Sequence, residues 1–378
     1  MKKSEKESTA RLIIASSEQS ADLRHATRFS VPDPIIWVEF GGTSYAILNA
    51  LEIDRARKTA RVDDCRDQSE IEVKLRSSSK GVIGHKEVAT YFLKENEIRD
   101  VEVPPDFPLV CADYLRKNGI LVTVKSPFFP KRMRKTDHEI KWITKGQRQA
   151  EAGLRRGIEI IKASSVGRGR HLRWGEVRLT SERLRFEIDN AVRQAGGVPA
   201  HTIVACGKQS CDPHDMGSGP LKAEETIILD IFPHDAESGY FGDLTRTVVK
   251  GKASEAQRRL YQTVKEAQRL AIRSIRSGVD GKKLQDSIRE DFKMKGYPTE
   301  KQKGRWVGFF HGLGHGVGLE IHEAPRIASG KLKSRQVVTV EPGLYYPGIG
   351  GIRLEDLVVV ETSGCKNLTR APFRFEIP

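Results

Sequence analysis

Paired cysteines are missing from this sequence. Its five, Cys65, Cys111, Cys206, Cys211 and Cys365, are an odd number and include no CxxC pair, which argues against a disulfide framework and fits a reducing compartment. Long apolar runs are missing as well. No window approaches the ~18 apolar residues of a membrane span. The basic N-terminal stretch MKKSEKESTARLIIASSEQS has only Leu12 to Ala15 as an apolar run, too short for a secretory signal. The expected location is cytoplasmic, with no membrane partner. Acid excess is also absent: 64 Lys and Arg face 50 Asp and Glu, a net charge of +14 with a pI near 9.5. Such a balance suits a phosphate backbone, yet the basic residues are spread along the chain. The densest groups, Lys131 to Lys135 and Lys250 to Arg276, read as a solvated linker and the charged face of a helix. Nucleic acid is therefore not the expected partner.

What is present suits a folded enzyme. Hydrophobic residues make up 38% and charged residues 30% of 378 positions, enough chain for two domains at ~100–200 residues each. Residues 33–48 give a hairpin signal around Gly41-Gly42. VCADYLRKNG (110–119) predicts a short helix closed by Gly119, and ILVTV (120–124) a buried strand. The sequence Thr136-Asp137-His138-Glu139 is a capping box, so a long helix is expected over 138–163 and a domain boundary near 130–136. Further helices are expected at 181–195, 254–277 and 281–295. Strand-like runs lie at 201–207, 226–232, 246–250, 336–346 and 352–361. The order predicts an α/β (α+β) chain whose second domain packs two helix pairs on a curved, largely antiparallel sheet.

That second domain places acids where strand propensity predicts burial: Asp230 in TIILDIF, Glu341 in VVTVEPGLYY and Glu355 in GGIRLEDLVVV. A buried carboxylate needs a cation or a metal. With Asp243 in GYFGDLTRT and a histidine in HGLGHGVGLEIHE, four carboxylates would neutralise two divalent ions, and one imidazole completes a shell suited to Mn, Co, Fe or Zn. Two ions about 3.5–4 Å apart hold a hydroxide between them that is nucleophilic at neutral pH, which is amide-hydrolysis chemistry.

The ordered set Asp230, Asp243, His315, Glu341 and Glu355, in the contexts LDIF, GDLTRT, GLGHGVGLEIHE, TVEPGLYY and GGIRLED, resembles the pita-bread metallopeptidases, in particular the prolidases (Xaa-Pro dipeptidases) and Xaa-Pro aminopeptidases. The likeness spans residues ~136–378. A more diffuse one, carried by AILNALEIDRARK, covers the N-terminal part. The resemblance implies a creatinase-like domain over 1–133 and a catalytic pita-bread domain over 134–378. It also implies two divalent ions, manganese first, with cobalt, zinc or iron as alternatives. Asp243 and Glu355 would bridge the ions, Asp230 would join Asp243 at the opening of the site, and His315 and Glu341 would complete the second ion's shell. His214, in CDPHDMGSG, matches a histidine that contacts substrate or shuttles a proton, and His322, in LEIHE, one near the scissile carbonyl. Arg326 matches an arginine that binds the free carboxylate of a dipeptide, a task suited to its fork. Arg353, two residues before Glu355, is expected to hold that carboxylate or the substrate. His311 fits the HxxGHG pattern and is expected to support the site from beside it.

The expected substrate is a peptide with proline second, cleaved as a dipeptide or at the N-terminus of a longer chain, and a homodimer is implied. A non-catalytic binding protein on the same fold is the competing class, and the retained ligand set argues against it. A methionine aminopeptidase would lack the N-terminal domain. Cys211-x-x-His214 near Cys206 lacks the second half of a zinc site. The loop between Asp230 and Asp243 looks about two residues longer than in relatives, so Asp235 or Glu237 can be mistaken for ligands. A hairpin absorbs such an insertion.

Overall fold

The computed structural model describes residues 9–77 and 81–378; the first eight residues of the basic N-terminal stretch lie outside them. The chain divides into two compact units, Met1–Arg132 and Met133–Pro378.

The first unit combines a six-stranded mixed sheet with five short helices among its described residues. Its strands are β1 (Thr9–Ala15), β2 (Ile35–Phe40), β3 (Thr43–Leu48), β4 (Asp64–Asp67), β5 (Asp100–Val103) and β6 (Leu121–Val124), in the order β4-β3-β2-β1-β5-β6. The Gly41-Gly42 turn joins β2 to β3 antiparallel, as expected from its sequence. Both glycines have φ near the left-handed region, at 57° and 82°, which side chains rarely adopt. Alternate β-branched residues face opposite sides of the sheet, so apolar clusters form on both faces. The expectation of a buried strand at 120–124 is corrected: β6 is the sheet edge, and of its residues only Val122 is buried.

The second unit packs two helix pairs on two main, largely antiparallel sheets. Helix α1 (Asp137–Ala163) starts at the expected capping box: Thr136 Oγ1 accepts from the Glu139 N–H while the Glu139 side chain accepts from the Thr136 N–H. With α2 (Ser181–Gln194) it covers a four-stranded sheet that contains β7 (Ile203–Cys206), β8 (Thr226–Ile231) and β9 (Leu244–Lys250), with Glu376–Ile377 as its parallel edge. Leu154, Ile188, Val204, Leu229 and Val248 meet in that core. The second pair, α3 (Glu255–Ser274) and α4 (Gly281–Met294), packs on a sheet that contains β10 (His315–Gly316), β11 (Glu323–Arg326), β12 (Val337–Val340) and β15 (Asp356–Val360). Leu260, Val264, Ile288, Val338 and Val358 fill that interface. Between β12 and β15 the chain makes a separate hairpin of β13 (Gly343–Tyr346) and β14 (Gly350–Arg353).

Each of the two long strand runs read at 336–346 and 352–361 is thus two strands, broken at Glu341-Pro342 and at Leu354-Glu355. The cause is local. Pro342 has no N–H to give, the Glu341 N–H donates to Leu313 O at 3.0 Å, and the Glu355 N–H donates to Thr245 O at 3.1 Å. Both glutamates leave their ladders at corresponding corners of the hairpin.

Two basic residues read as solvated are also corrected. Lys135 is 2% exposed and forms an ion pair with Glu323. Lys250 is buried on β9, where its ammonium donates to Lys162 O at 2.9 Å. Each buried ammonium has a fixed acceptor, which the charge of the surrounding segment did not reveal.

Candidate metal centre

The centre lies where the two sheets and the hairpin meet. Asp230 sits on β8 directly opposite Thr245 of β9. Asp243 stands just before β9, held by close backbone approach: a Cβ on Gly242 would lie 2.3 Å from Gly146 C, and one on Gly146 would lie 2.7 Å from Gly242 N. That contact brings Gln147 of α1 against the loop, and its Oε1 accepts the Asp243 N–H at 2.8 Å. His315 lies on β10, where a Cβ on the preceding Gly314 would collide with Thr339 O at 2.0 Å. Thr339 Oγ1 accepts from the His315 N–H at 3.1 Å and donates to Glu341 Oε1 at 3.2 Å, tying two candidate ligands together.

All ten residues singled out from sequence line one cavity of ≈ 820 Å³. Asp230, Asp243, His315 and Glu355 are 8%, 4%, 4% and 3% exposed, so the cluster is largely out of water. Asp243, His315 and Glu355 each offer a ligand atom, all within 4.8 Å of one another. His315 Nε2 stands 3.6 Å from Asp243 Oδ2 and 3.4 Å from Glu341 Oε1.

The hydrogen bonds set the charge state. His315 Nδ1 faces Gly316 O at 3.1 Å and must carry its proton there to donate, which leaves Nε2 as a lone pair directed at carboxylate oxygens. Burial pushes the His315 pKa down to about 3, so the ring is neutral. Burial, reinforced by the neighbouring carboxylates Glu355 and Asp230, drives Asp243 well above the usual carboxylate range. Burial, with Glu341 and Asp230, does the same to Glu355. Burial raises Glu341 to about 7. Asp230 Oδ1 is buried without a hydrogen-bond partner. A lone pair, an unpartnered carboxylate oxygen and crowded acids facing one space repel one another unless a cation lies among them, and a mixed oxygen and nitrogen donor set fits a divalent transition metal.

The surrounding residues lock this arrangement. Thr245 Oγ1 donates to Glu355 Oε2 at 2.7 Å. Arg353, expected to hold Glu355 or the substrate, donates its Nη2 to Asp230 Oδ2 at 2.6 Å. Arg353 and Glu355 both line the cavity, although the strand ends at Arg353. Arg353 Nη1 also reaches Tyr345 Oη at 3.1 Å, and that hydroxyl lies 2.9 Å from His311 Nε2. His311 Nδ1 faces Gly312 O at 2.8 Å, so Nε2 accepts the tyrosine proton in a chain from arginine through tyrosine to imidazole. His322 packs its ring edge-on against His315, with centroids 4.3 Å apart. His214, His322 and Arg326 are exposed around the same cavity. Asp235 and Glu237 are no part of it: Asp235 accepts from Ser238 and Gln149, and both acids pair with Lys145.

Gln147, Thr245 and Tyr345 escaped the sequence reading because none is charged. Strand alternation was the available signal for one of them, since Asp243, Thr245 and Thr247 are spaced to face one side of β9. Thr247 Oγ1 there accepts from the Arg353 N–H at 3.0 Å and donates to Arg353 O at 2.9 Å.

Comparison with known proteins agrees with this architecture. The Xaa-Pro dipeptidase of Pyrococcus furiosus is 31% identical over 376 residues, covering 97% of this chain and 98% of that protein. The crystal structure of X-Pro aminopeptidase from Thermotoga maritima superposes with a TM-score of 0.81 at 24% identity, covering 98% of both chains. Xaa-Pro dipeptidase from Bacillus anthracis gives 0.80 at 24%, covering 98% of this chain and 95% of that one. The fold is thus the pita-bread fold expected from the sequence. Residues 141–362 match metallopeptidase family M24, which implies divalent metal ions. With more than half its length matched and a full-length relative above 30% identity, the chain belongs to metallopeptidase family M24.

Proposed function

We propose that this protein is a dinuclear-metal hydrolase that cleaves the Xaa-Pro bond of dipeptides. The observation that carries the reading is the meeting of four carboxylates and the His315 lone pair on one largely buried cavity. Asp230, Asp243, His315, Glu341 and Glu355 would hold two divalent ions, manganese first. Ions bound there supply an acidified water as nucleophile and draw electrons from the scissile carbonyl.

The chain's own residues do the rest. Thr245 and Arg353 fix the orientation of Glu355 and Asp230, so the donor set is formed before substrate arrives. His322, against His315, would donate a hydrogen bond beside the carbonyl, and His214 would deliver a proton to the departing prolyl nitrogen. Arg326, exposed on the cavity wall, would take the substrate's free carboxylate. Tyr345 and Arg353 hold His311 neutral and oriented, its pKa depressed to about 3 by burial with help from Arg353.

Aminopeptidase action on longer Xaa-Pro peptides is the second reading, favoured by a volume of ≈ 820 Å³ near the top of the ~300–1,000 Å³ range for small-molecule sites. Incubation of manganese- or cobalt-loaded protein with Xaa-Pro dipeptides and longer peptides tests both. Proline release is expected, and absence of any cleavage with metal bound refutes the reading. Arg326→Ala should lower kcat/KM on dipeptides tenfold or more, by ~1.5–3 kcal/mol, while sparing longer peptides. Equal loss on both would assign Arg326 another task.

The same reading makes residues 1–133 a creatinase-like domain and 134–378 the catalytic one, in a cytoplasmic homodimer. Five free cysteines support the reducing compartment. No helix among the described residues is long and apolar enough to cross a membrane.

A further inference from the structure

One charged group on the cavity wall has no task in the reaction as derived. Asp212 follows the short turn Gln209–Cys211, its side chain is exposed, and it lines the same cavity. Its carboxylate makes no ion pair or hydrogen bond among the described residues. The backbone that carries it is nonetheless fixed. The Asp212 N–H donates to Gln209 O at 3.0 Å, the Asp215 N–H donates to Asp212 O at 3.1 Å, and Arg353 Nη1 donates to Pro213 O at 3.3 Å.

An apolar surface connects this carboxylate to the metal-facing acids. Ile203 pairs directly opposite Asp230 across the sheet, and it shares one cluster with Phe310 and Cys211, the residue before Asp212. Ile203, Phe310 and Phe232 all line the cavity. Apolar wall and unpaired anion together match a side chain with a long methylene stem and a cationic head.

Building on the Xaa-Pro reading above, we infer that Asp212 selects the first residue of the substrate, favouring lysine or arginine with the stem on Ile203 and Phe310 and the cation on the Asp212 carboxylate. The substrate's α-amino group does not meet this need. It lies two bonds of about 1.5 Å each from the scissile carbonyl carbon, which keeps it among the buried carboxylates, whereas a lysine or arginine head reaches the exposed rim. Arg305 stands near enough to Cys211 to act on its thiol but forms no ion pair with Asp212, so the anion stays available to substrate.

The test compares kcat/KM for Lys-Pro, Leu-Pro and Glu-Pro with the full-length, metal-loaded protein and its Asp212→Asn and Asp212→Lys variants. Lys-Pro should exceed Glu-Pro at least tenfold in the wild type. Asp212→Asn should cut the Lys-Pro to Leu-Pro ratio about fivefold, the scale of one partly solvated ion pair, and Asp212→Lys should turn preference toward Glu-Pro. The wild-type ratio should also shrink at high ionic strength, which a merely structural residue would not produce. Each ratio is taken within one preparation, so any loss of folded protein cancels. Ratios unchanged in both variants, with Leu-Pro still cleaved, overturn the role of Asp212 and leave the Xaa-Pro activity standing. Failure of the wild type on every Xaa-Pro substrate removes both.

Discussion

At the level of single residues the centre is held together by groups that would otherwise repel. Glu341, raised by burial to about 7 from an ordinary value of 4.5, binds its proton more tightly in the folded protein than in the unfolded chain, and Asp243 and Glu355 shift the same way. Without metal, the stability this confers is complete below pH ~4.5 and is lost as pH rises through ~7, at about 1.4 kcal/mol per pH unit for each group titrating. Chelator-treated protein should therefore melt at lower temperature at pH 7.5 than at pH 5.5, and added manganese should abolish the difference. A flat melting profile in the metal-free protein would contradict the proposed crowding of charge. Tyr345→Phe makes a second case. It removes one hydroxyl from between Arg353 Nη1 and His311 Nε2, leaving the buried Arg353 and the half-buried His311 each short of a partner. A stability loss of ~1–3 kcal/mol, measured by urea unfolding, is expected together with a lower kcat.

Elements explain why some of this was legible in sequence and some was not. Helix α1 announces itself through the Thr136 to Glu139 capping box and its apolar spacing, and the Gly41-Gly42 turn through its glycines. The candidate ligands stood out because acids within strand-forming runs are rare without a reason. The strand breaks at Glu341 and Glu355 left no comparable mark. Both runs read as continuous because β-branched and aromatic residues dominate them, although Pro342 is a strand breaker. The break arises from where the Glu341 and Glu355 amides go, to Leu313 and Thr245, and those partners are distant in sequence. The buried state of Lys135 was hidden for the same reason, since Glu323 lies far along the chain. The contact of α1 with Gly242 depends on two glycines that look ordinary alone. Gly146→Ala should push α1 off the Asp243 loop, costing on the order of 1–3 kcal/mol and loosening metal binding. Calorimetric metal titration of that variant at wild-type affinity would count against the role of this contact.

For the molecule as a whole, the second unit is two packed layers pinned at their junction, and the candidate metal ligands sit at the pin. A ligand that binds only the folded state adds ~2.7 kcal/mol at a hundred times its dissociation constant, so metal loading acts on both sheets at once. The hairpin from Gly343 to Arg353 shows where this is felt. Its two feet are Glu341 and Glu355, and each carboxylate faces the same small volume. Cations that draw those feet together close the loop like a clasp. Amide hydrogen exchange along residues 343–353 should slow by an order of magnitude or more on loading. The outer strands of the first unit should be left as they were, so this one ribbon of backbone would serve as an internal gauge of how full the centre is.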